Sequence, residues 1–340
     1  MPSISSGKVL VTGANGFIAA HCVAKLLLSG FSVIGTVRSE AKAQSVLRSH
    51  SNHPSLSLII VEDVTKPGCF DTAIAGCDGV LHLAAPFGYV YTNFETELLI
   101  PSINGTLRIC EAAQTEKSVK RVVLTSSFAS VYDASKGQDP GKTYTEDNWC
   151  PLTYEDGKNA SAAPIAYRAS KVLAEKTAWN FIASNEVAWD LVTLCPGMVF
   201  GQLLPGTIGS LKELNTSNGI VWSLFDAENL PDTKAPIWTS ITSLATAHIK
   251  ALTTATASNQ RFLIVDGEYD MHELAKILQA SKLPDFAKER IPCGKLSAGL
   301  GGAPYRVNNE KAHRILGLET QSLEKTIVPL VEQLLEIEKS

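Results

Sequence analysis

Between an apolar run at 8–11 and a helical pattern at 17–28, the chain reads Val-Thr-Gly-Ala-Asn-Gly-Phe-Ile-Ala from Val11 to Ala19. A β-branched run that turns through two glycines straight into an amphipathic helix opens a strand–helix crossover, and the strand beyond such a crossover runs parallel to the first. Further short runs at 32–37, 58–61, 80–83, 122–124 and 191–194 are apolar and mostly without alternation, as expected of parallel strands covered on both faces. Helical patterns fill the gaps, the first stopped by Ser29-Gly30 with the glycine as its cap. The fold class predicted is α/β, a doubly wound parallel sheet.

After about Gly201 the pattern loosens. Gly, Pro, Ser and Thr dominate 202–209 and 231–236, and helices at 271–279 and 324–336 stand apart. Residues 1–200 are read as the main domain, with return segments at about 236–266 that include a strand at 262–265. Residues 201–235 and 267–340 are read as a smaller C-terminal lobe. At 340 residues the chain can bury a full core. A formal net charge of −4 with scattered basic residues argues against nucleic acid or an anionic membrane as partner. No apolar run reaches the roughly 20 residues that cross a bilayer, Met-Pro-Ser-Ile-Ser-Ser is too polar for a signal peptide, and Glu-Lys-Ser is no readable address. The seven cysteines (Cys22, Cys69, Cys77, Cys110, Cys150, Cys195 and Cys293) lack metal-ligand or Cys-x-x-Cys spacing. Buried free thiols in a soluble, cytoplasmic protein are expected.

Gly13, Gly16 and Ala19 sit directly between the first strand and the first helix. A dinucleotide's pyrophosphate needs a tight turn there, backbone approach without side chains, and the positive end of a helix dipole. The two glycines supply the first two, and Ala19 lets the helix lie against the sheet; taken alone, the pair fits a plain turn as well. A second cluster at 299–302 has no preceding strand and is read as a loop. At the end of the second strand, where an acidic residue would hold the ribose hydroxyls of NAD, the chain reads Thr36-Val37-Arg38-Ser39, with Lys42 one turn on. A guanidinium fork can clasp a 2′-phosphate and a lysine adds charge, so NADP(H) is favoured over a merely solvated helix start. Asp63-Val64 is placed to contact adenine, or Asp63 caps a helix.

Tyr-x-x-x-Lys occurs at 132–136, 154–158 and 167–171. The first runs into Gly137 and Asp139-Pro140-Gly141 and the second contains Gly157, so both are read as loops. Only the third opens a convincing helix: Pro164 precedes it, and Leu173, Ala174, Ala178, Phe181 and Ile182 make an apolar face. There Tyr167 and Lys171 share one side a turn apart, and an ammonium so placed draws a phenol down from about 10 toward working pH. Tyr167 is then a candidate proton donor, the alternative being a surface Tyr and Lys. Ser126 and Ser127 end the fifth strand, at the carboxyl edge where such sheets bind ligands. A hydroxyl there can hold a carbonyl oxygen, or merely end a strand. Pro196-Gly197, ending the sixth, approaches a nicotinamide face or makes a turn.

Gly-x-x-Gly-x-x-Ala, Thr-Ser-Ser, Tyr-x-x-x-Lys and Pro-Gly in these places resemble the extended short-chain dehydrogenases/reductases, of Rossmann type. Arg-Val-Val-Leu-Thr-Ser-Ser (121–127), Arg38 with Lys42, and Leu-Asn-Thr-Ser (214–217) are similar to the fungal NADPH-dependent methylglyoxal and aldehyde reductases of the dihydroflavonol 4-reductase-like branch. The resemblance implies Ser127, Tyr167 and Lys171 as the catalytic set. It implies Gly13, Ala14, Asn15, Gly16, Phe17, Ile18, Arg38, Lys42, Asp63, Val64, Ala84, Pro196, Gly197, Val199 and Ser217, with Tyr167 and Lys171, as the cofactor set. Phe87, Phe128 and Tyr132 are implied as substrate-pocket residues. Tyr132 stands where plant dihydroflavonol reductases carry asparagine, and Asn148-Trp149-Cys150-Pro151 is a partial echo of a cinnamoyl-CoA reductase stretch. Ser240-Ile-Thr-Ser243 replaces an acidic segment and leaves Ser243 as a helix cap.

The expected activity is NADPH-dependent reduction of a small-molecule aldehyde or ketone, with Tyr167 as general acid. A nucleotide-sugar epimerase or dehydratase and a non-catalytic NADP sensor are the competing readings. No metal is expected: His272-Glu273 continues to Lys276 rather than to a second histidine, and His82 is read as packing in the fourth strand.

Overall fold

The computed structural model describes residues 4–86, 91–137, 139, 141–233, 235–292 and 305–339. In chain order the strands are β1 (Lys8–Thr12), β2 (Ser32–Val37), β3 (Leu56–Ile60), β4 (Gly79–His82), β5 (Arg121–Thr125), β6 (Thr143–Tyr144), β7 (Asp190–Pro196), β8 (Met198–Phe200), β9 (Ile237–Ser240), β10 (Gln260–Ile264), β11 (Gly267–Glu268) and β12 (Arg306–Val307). The α-helices are α1 (Phe17–Leu28), α2 (Glu40–Ser49), α3 (Asp71–Ile74), α4 (Ile100–Thr115), α5 (Tyr154–Lys158), α6 (Ala163–Ser184), α7 (Thr216–Trp222), α8 (Ile241–Thr253), α9 (Met271–Ala280), α10 (Asp285–Lys288), α11 (Glu310–Leu316) and α12 (Leu323–Lys339).

β10, β7, β5, β4, β1, β2 and β3 lie side by side in that order, every neighbouring pair parallel. Strand order reverses between β1 and β4, which opens a crevice at their carboxyl ends. Successive strand residues point to opposite faces. Val9 and Val11 join α1 and α8 in one core, while Leu10 joins α4 and Ala178 of α6 in the other. The return strand expected at 262–265 is β10, paired with β7. Helix α1 spans the residues read for it, with Ser29 at the cap and Gly30 just beyond at φ +82°. Among the described residues no helix is long and apolar enough to cross a membrane.

A second core lies beyond the main sheet. β8, β9 and β11 form a three-stranded sheet, and Phe200 and Trp238 pack with Val221 of α7, Leu274 and Leu278 of α9, and Ile327, Leu330 and Leu334 of α12. One expected boundary needs correcting. Residues 310–316, assigned by sequence to the smaller lobe, form α11, whose Ala312 and Leu316 are buried in the core of α1 and α8. The helix is short and its apolar positions few, so only the tertiary contact reveals its side.

The cap of α8 also differs from the reading. Ser240, not Ser243, accepts from the Thr242 amide at 3.1 Å, while Ser243 Oγ donates to Asp266 Oδ1 at 2.9 Å. Asp266 Oδ2 accepts from the Ser240 amide at 2.6 Å, so one carboxylate supplied from β10's end replaces the local acidic segment.

At the amino edge of the sheet a buried ion pair joins neighbouring strands. Arg121 donates through Nε to Asp190 Oδ1 at 2.5 Å and through Nη2 to Oδ2 at 2.7 Å, and neither side chain is exposed. Its Nη1 donates to the carbonyls of Ala251 and Thr254, at 2.7 and 2.6 Å, at the end of α8. Replacing Arg121 by leucine strands a buried carboxylate and is expected to lower the unfolding free energy by about 3–5 kcal/mol. Urea denaturation measures it, and a loss below 1 kcal/mol, on the scale of exposed pairs at about 0–1 kcal/mol, would sink the assignment.

Candidate active site

At the end of β1, Thr12 Oγ1 accepts from the amides of Leu83 and Ala84, both at 3.0 Å. A hydroxyl with two donors aimed at it directs its own proton outward, here to His82 Nδ1 at 2.9 Å. That assignment makes His82 a neutral acceptor, and burial, reinforced by Lys171, pushes its pKa down to about 3. The pairing brings Ala84 against Gly13. Gly13 has φ +66°, and a Cβ on it would lie 3.1 Å from Ala84 Cα, so only glycine fits without strain. Its neighbours fall in line: Ala14 is buried and its amide donates to Thr36 O at 2.9 Å, Asn15 is exposed at the tip, and Gly16 is the N-cap of α1. No side chain caps that helix, which leaves its first amides for an anion. Phe17 and Ile18 are half-buried, and Phe17 packs against both cores. This backbone cradle at a helix N-terminus fits a dinucleotide pyrophosphate.

Arg38 and Lys42 are exposed beside the β2 end, and among the described residues neither forms an ion pair. Ser39 between them caps α2, accepting from the Lys42 amide. Asp63 does not cap a helix. Its Oδ1 accepts from the Thr65 hydroxyl at 2.7 Å and the Thr65 amide at 2.9 Å, and these bonds, with smaller help from Arg38, hold its carboxyl below the usual range. Val64 beside it is half-buried against Gly105. Pro196 ends β7, and Gly197 carries the chain into the smaller sheet, donating to Thr239 Oγ1 at 2.9 Å. Val199 and Ser217 are brought together: Ser217 Oγ donates to Val199 O at 2.5 Å.

The third Tyr-x-x-x-Lys lies on α6, whose first turn takes in Pro164, read from the sequence as preceding the helix. Small residues (Ala166, Ala169, Ser170, Ala174, Ala178) form the buried side and let the helix approach the sheet closely. Lys171 is thereby buried, at 7 % exposure, and Nζ donates to Thr125 O at 2.9 Å. Burial pushes its pKa down to about 8 against the opposing charge of Glu175. Tyr167, one turn earlier, is half-buried. Ser127 follows β5 in extended backbone and caps the turn Phe128–Ser130, accepting from the Ala129 amide at 3.1 Å.

The other two pairs fared differently. Tyr132 lies in irregular backbone between two short 3₁₀ turns and Lys136 ends the second of them, as a loop reading anticipates. Tyr154–Lys158 is a correction: it is α5, closed by a capping box of Thr153 and Asp156. Gly157 misled because it serves packing rather than a turn, since a Cβ there would sit 2.6 Å from Ala169 Cβ. Both side chains close on one carboxylate, Tyr154 Oη at 2.9 Å and Lys158 Nζ at 3.2 Å from Glu95 Oε1.

Phe128 and Tyr132 stack 6.3 Å apart and join Tyr144 and Tyr305 in an aromatic cluster, with Tyr132 and Tyr305 at 4.9 Å. Phe87, Cys293 and 299–302 lie outside the described residues. The other six cysteines are unpaired, and all but half-buried Cys69 are buried. Sequence reasoning missed Glu175, Arg261 and Tyr305. Glu175 could have been found from its place one turn after Lys171 on the buried side of a helix; Tyr305 carried no signal.

A doubly wound parallel sheet with a glycine turn at its switch point defines a Rossmann-type α/β protein. The chain belongs to the NAD dependent epimerase/dehydratase family, whose model matches residues 9–210. It is similar to ketoreductase azaE of Aspergillus niger, 35% identical across 97% of this chain and 98% of that one. It is also similar to the NADPH-dependent methylglyoxal reductase of Saccharomyces cerevisiae, 35% identical across 97% and 98%. The crystal structure of the yeast methylglyoxal/isovaleraldehyde reductase complexed with NADPH matches with a TM-score of 0.90 at 33% identity, covering 98% of this chain and 99% of that one.

Neutral buried histidines make the fold sensitive to acid. His82 is pushed down to about 3 and His248, by burial, to about 4, so between these values and the ordinary 6.5 the unfolded chain binds the extra protons. Stability is therefore expected to fall as pH drops below 6.5, by up to about 1.4 kcal/mol per pH unit for each histidine. Urea titrations from pH 7 to 4 check this, with His82→Gln giving the shallower slope. Equal slopes would overturn the neutral assignment of His82.

Proposed function

We propose that this protein is an NADPH-dependent carbonyl reductase converting small aldehydes and ketones to alcohols. The observation that carries the reading is the buried ammonium of Lys171, fixed to Thr125 O two residues before Ser127 and one helical turn from Tyr167. Gly13, Ala14, Asn15, Gly16, Phe17 and Ile18 would hold the pyrophosphate, with Ala84, Asp63, Val64, Pro196, Gly197, Val199 and Ser217 along the rest of the cofactor. Arg38 and Lys42 would meet the 2′-phosphate. NADPH, when bound, supplies the hydride that reduces the carbonyl carbon. Ser127 holds the carbonyl oxygen through its hydroxyl, Tyr167 gives that oxygen its proton, and Lys171 stabilises the phenolate left behind. Phe128, Tyr132 and Phe87 are proposed as the apolar wall. The main sheet with segments 236–266 and α11 is assigned to the cofactor, and the lobe of α7, α9 and α12 to the substrate.

The epimerase/dehydratase alternative is less well supported. An enzyme that must keep NAD favours an acidic group after β2, where this chain has Arg38, and the reductase relatives cover nearly the whole chain. A non-catalytic sensor would have no use for a buried, partly neutralised lysine beside a tyrosine. The unpaired buried cysteines suit a reducing compartment, and the cytoplasm is proposed as its location.

Tyr167→Phe is expected to lower kcat by about 10²–10⁴-fold with little change in NADPH affinity by fluorescence titration. Near-wild-type turnover on a panel of aldehydes, α-keto esters and diketones would remove the general-acid role. Because Lys171 is protonated below about 8 and loses its charge above, kcat/KM for reduction falls as pH rises through that value. Arg38→Ala should raise the KM for NADPH by about 10-fold or more while sparing NADH, given the ~1.5–3 kcal/mol of a hydrogen bond to a charged group. Equal loss with both coenzymes would contradict the 2′-phosphate contact.

A further inference from the structure

We propose that Glu175, braced by Arg261, is a positioning residue of the reduction, holding the Ser127 turn in register with the Tyr167–Lys171 face of α6. The inference rests on the reductase reading above. Glu175 lies one turn beyond Lys171, and both line a small cavity with Thr125, Ser126 and His82. Its side chain is fully buried. Oε2 accepts from Ser126 Oγ and from Ser130 Oγ, each at 2.6 Å. These two serines bracket Ser127, so a single carboxylate oxygen grips the turn on both sides of the residue that would hold the substrate.

The other oxygen fixes the carboxylate itself. Oε1 accepts from Thr193 Oγ1 of β7 at 2.8 Å and from Arg261 Nε of β10 at 2.7 Å, while Arg261 Nη2 reaches Oε2 at 3.1 Å. Arg261 also donates to the carbonyls of Glu146 and Asn148, at 2.8 and 2.5 Å, and stacks on Trp149 at 3.7 Å. A buried ion pair of this kind is a poor device for stability alone, because desolvation cancels much of the attraction. It is a good device for fixing geometry, since donors from the Ser126–Ser130 turn, β7 and β10 all converge on one carboxylate. An amide in its place offers only one accepting oxygen.

The pair also balances charge beside Lys171. The titratable and charged groups around that ammonium are Tyr167 and Glu175 on α6, His82 from β4, Cys195 from β7 and His248 reaching Thr125 from α8, with Arg261 of β10 paired to Glu175. Burial keeps both histidines and the thiol neutral near pH 7. Glu175 is then the sole negative charge in that set and Arg261 the second positive one. Burial pushes the Glu175 carboxyl up, but the Arg261 charge and the hydrogen bonds from Arg261, Ser126 and Ser130 outweigh it and keep it ionised. Without Glu175, the Arg261 charge is left unbalanced and Lys171 gives up its proton more readily.

The test compares Tyr167→Phe, Glu175→Gln, Glu175→Asp and the double variant Glu175→Gln/Arg261→Met by steady-state kinetics from pH 6 to 10, with folding checked by thermal melt. Glu175→Gln is expected to cut kcat at least tenfold, leave NADPH affinity within threefold, and move the alkaline limb of kcat/KM to lower pH. The double variant should return that limb toward wild type while kcat stays low, a pattern that loose packing alone would not give. Glu175→Asp keeps the charge but shortens the reach, so kcat falls and the limb stays put; it decides the matter if the glutamine variant does not fold. A folded Glu175→Gln enzyme with kcat within twofold and an unmoved limb overturns the inference, as does full kcat in Glu175→Asp. Tyr167→Phe separates the layers: if it retains turnover, the reductase reading itself has failed, whatever Glu175 does.

Discussion

The Lys171 Nζ to Thr125 O hydrogen bond, 2.9 Å long and buried, ties the longest helix to the carboxyl edge of the central sheet. An ammonium taken out of water must find acceptors or lose its proton, and Lys171 does some of each: one backbone carbonyl and a depressed pKa. The bond forms only because α6 comes close, and α6 comes close because alanine and serine occupy its buried side. Larger residues there would lift the helix, expose the amine and restore its ordinary basicity. Packing of small side chains thus sets the electrostatics of a lysine.

Around that ammonium the same edge carries neutral polar pairs. Thr12, His82, Thr125 and His248 are joined by hydroxyl–imidazole bonds of 2.9 and 2.7 Å, with both imidazoles neutral. Neutral groups with fixed orientation screen a developing oxyanion less than water would, so each hydrogen bond donated into such a place counts for more. The price is acid sensitivity, because protonating either imidazole leaves a buried charge, and at His82 it also breaks the bond from Thr12, whose hydroxyl already accepts two amides.

What could be read in advance was whatever repeats locally. The glycine turn, the parallel strands and the choice of Tyr167–Lys171 over its two rivals all rest on neighbours within a few positions. The strand at 32–37 and the helix at 17–28 end where their sequences say. The misreadings have one cause, a tertiary contact standing in for a local rule. Gly157 looked like a breaker but makes room for Ala169. Ser240 caps α8 because Asp266, distant in sequence, takes its amide and engages Ser243. Glu175 and Arg261 are 86 residues apart and share no periodicity, so nothing in either stretch announces the other. Trp149, on which Arg261 stacks, stood out in the sequence only as part of a partial echo of another motif.

The two helical Tyr-x-x-x-Lys pairs separate position from chemistry. Tyr154 and Lys158 have the same spacing on the same kind of element as Tyr167 and Lys171. Yet Lys158 is 42% exposed and paired to Glu95, which also takes the Tyr154 hydroxyl. Its ammonium is solvated and already answered by a carboxylate, so it has little left with which to stabilise a phenolate. Lys171 is desolvated, and among the described residues no carboxylate lies within ion-pair distance of it; its nearest negative group, Glu175, is spent on Arg261. Helical spacing brings a phenol and an amine to one side, but what arms them is the removal of water and the diversion of the nearest counter-charge. Both of those come from residues outside the motif.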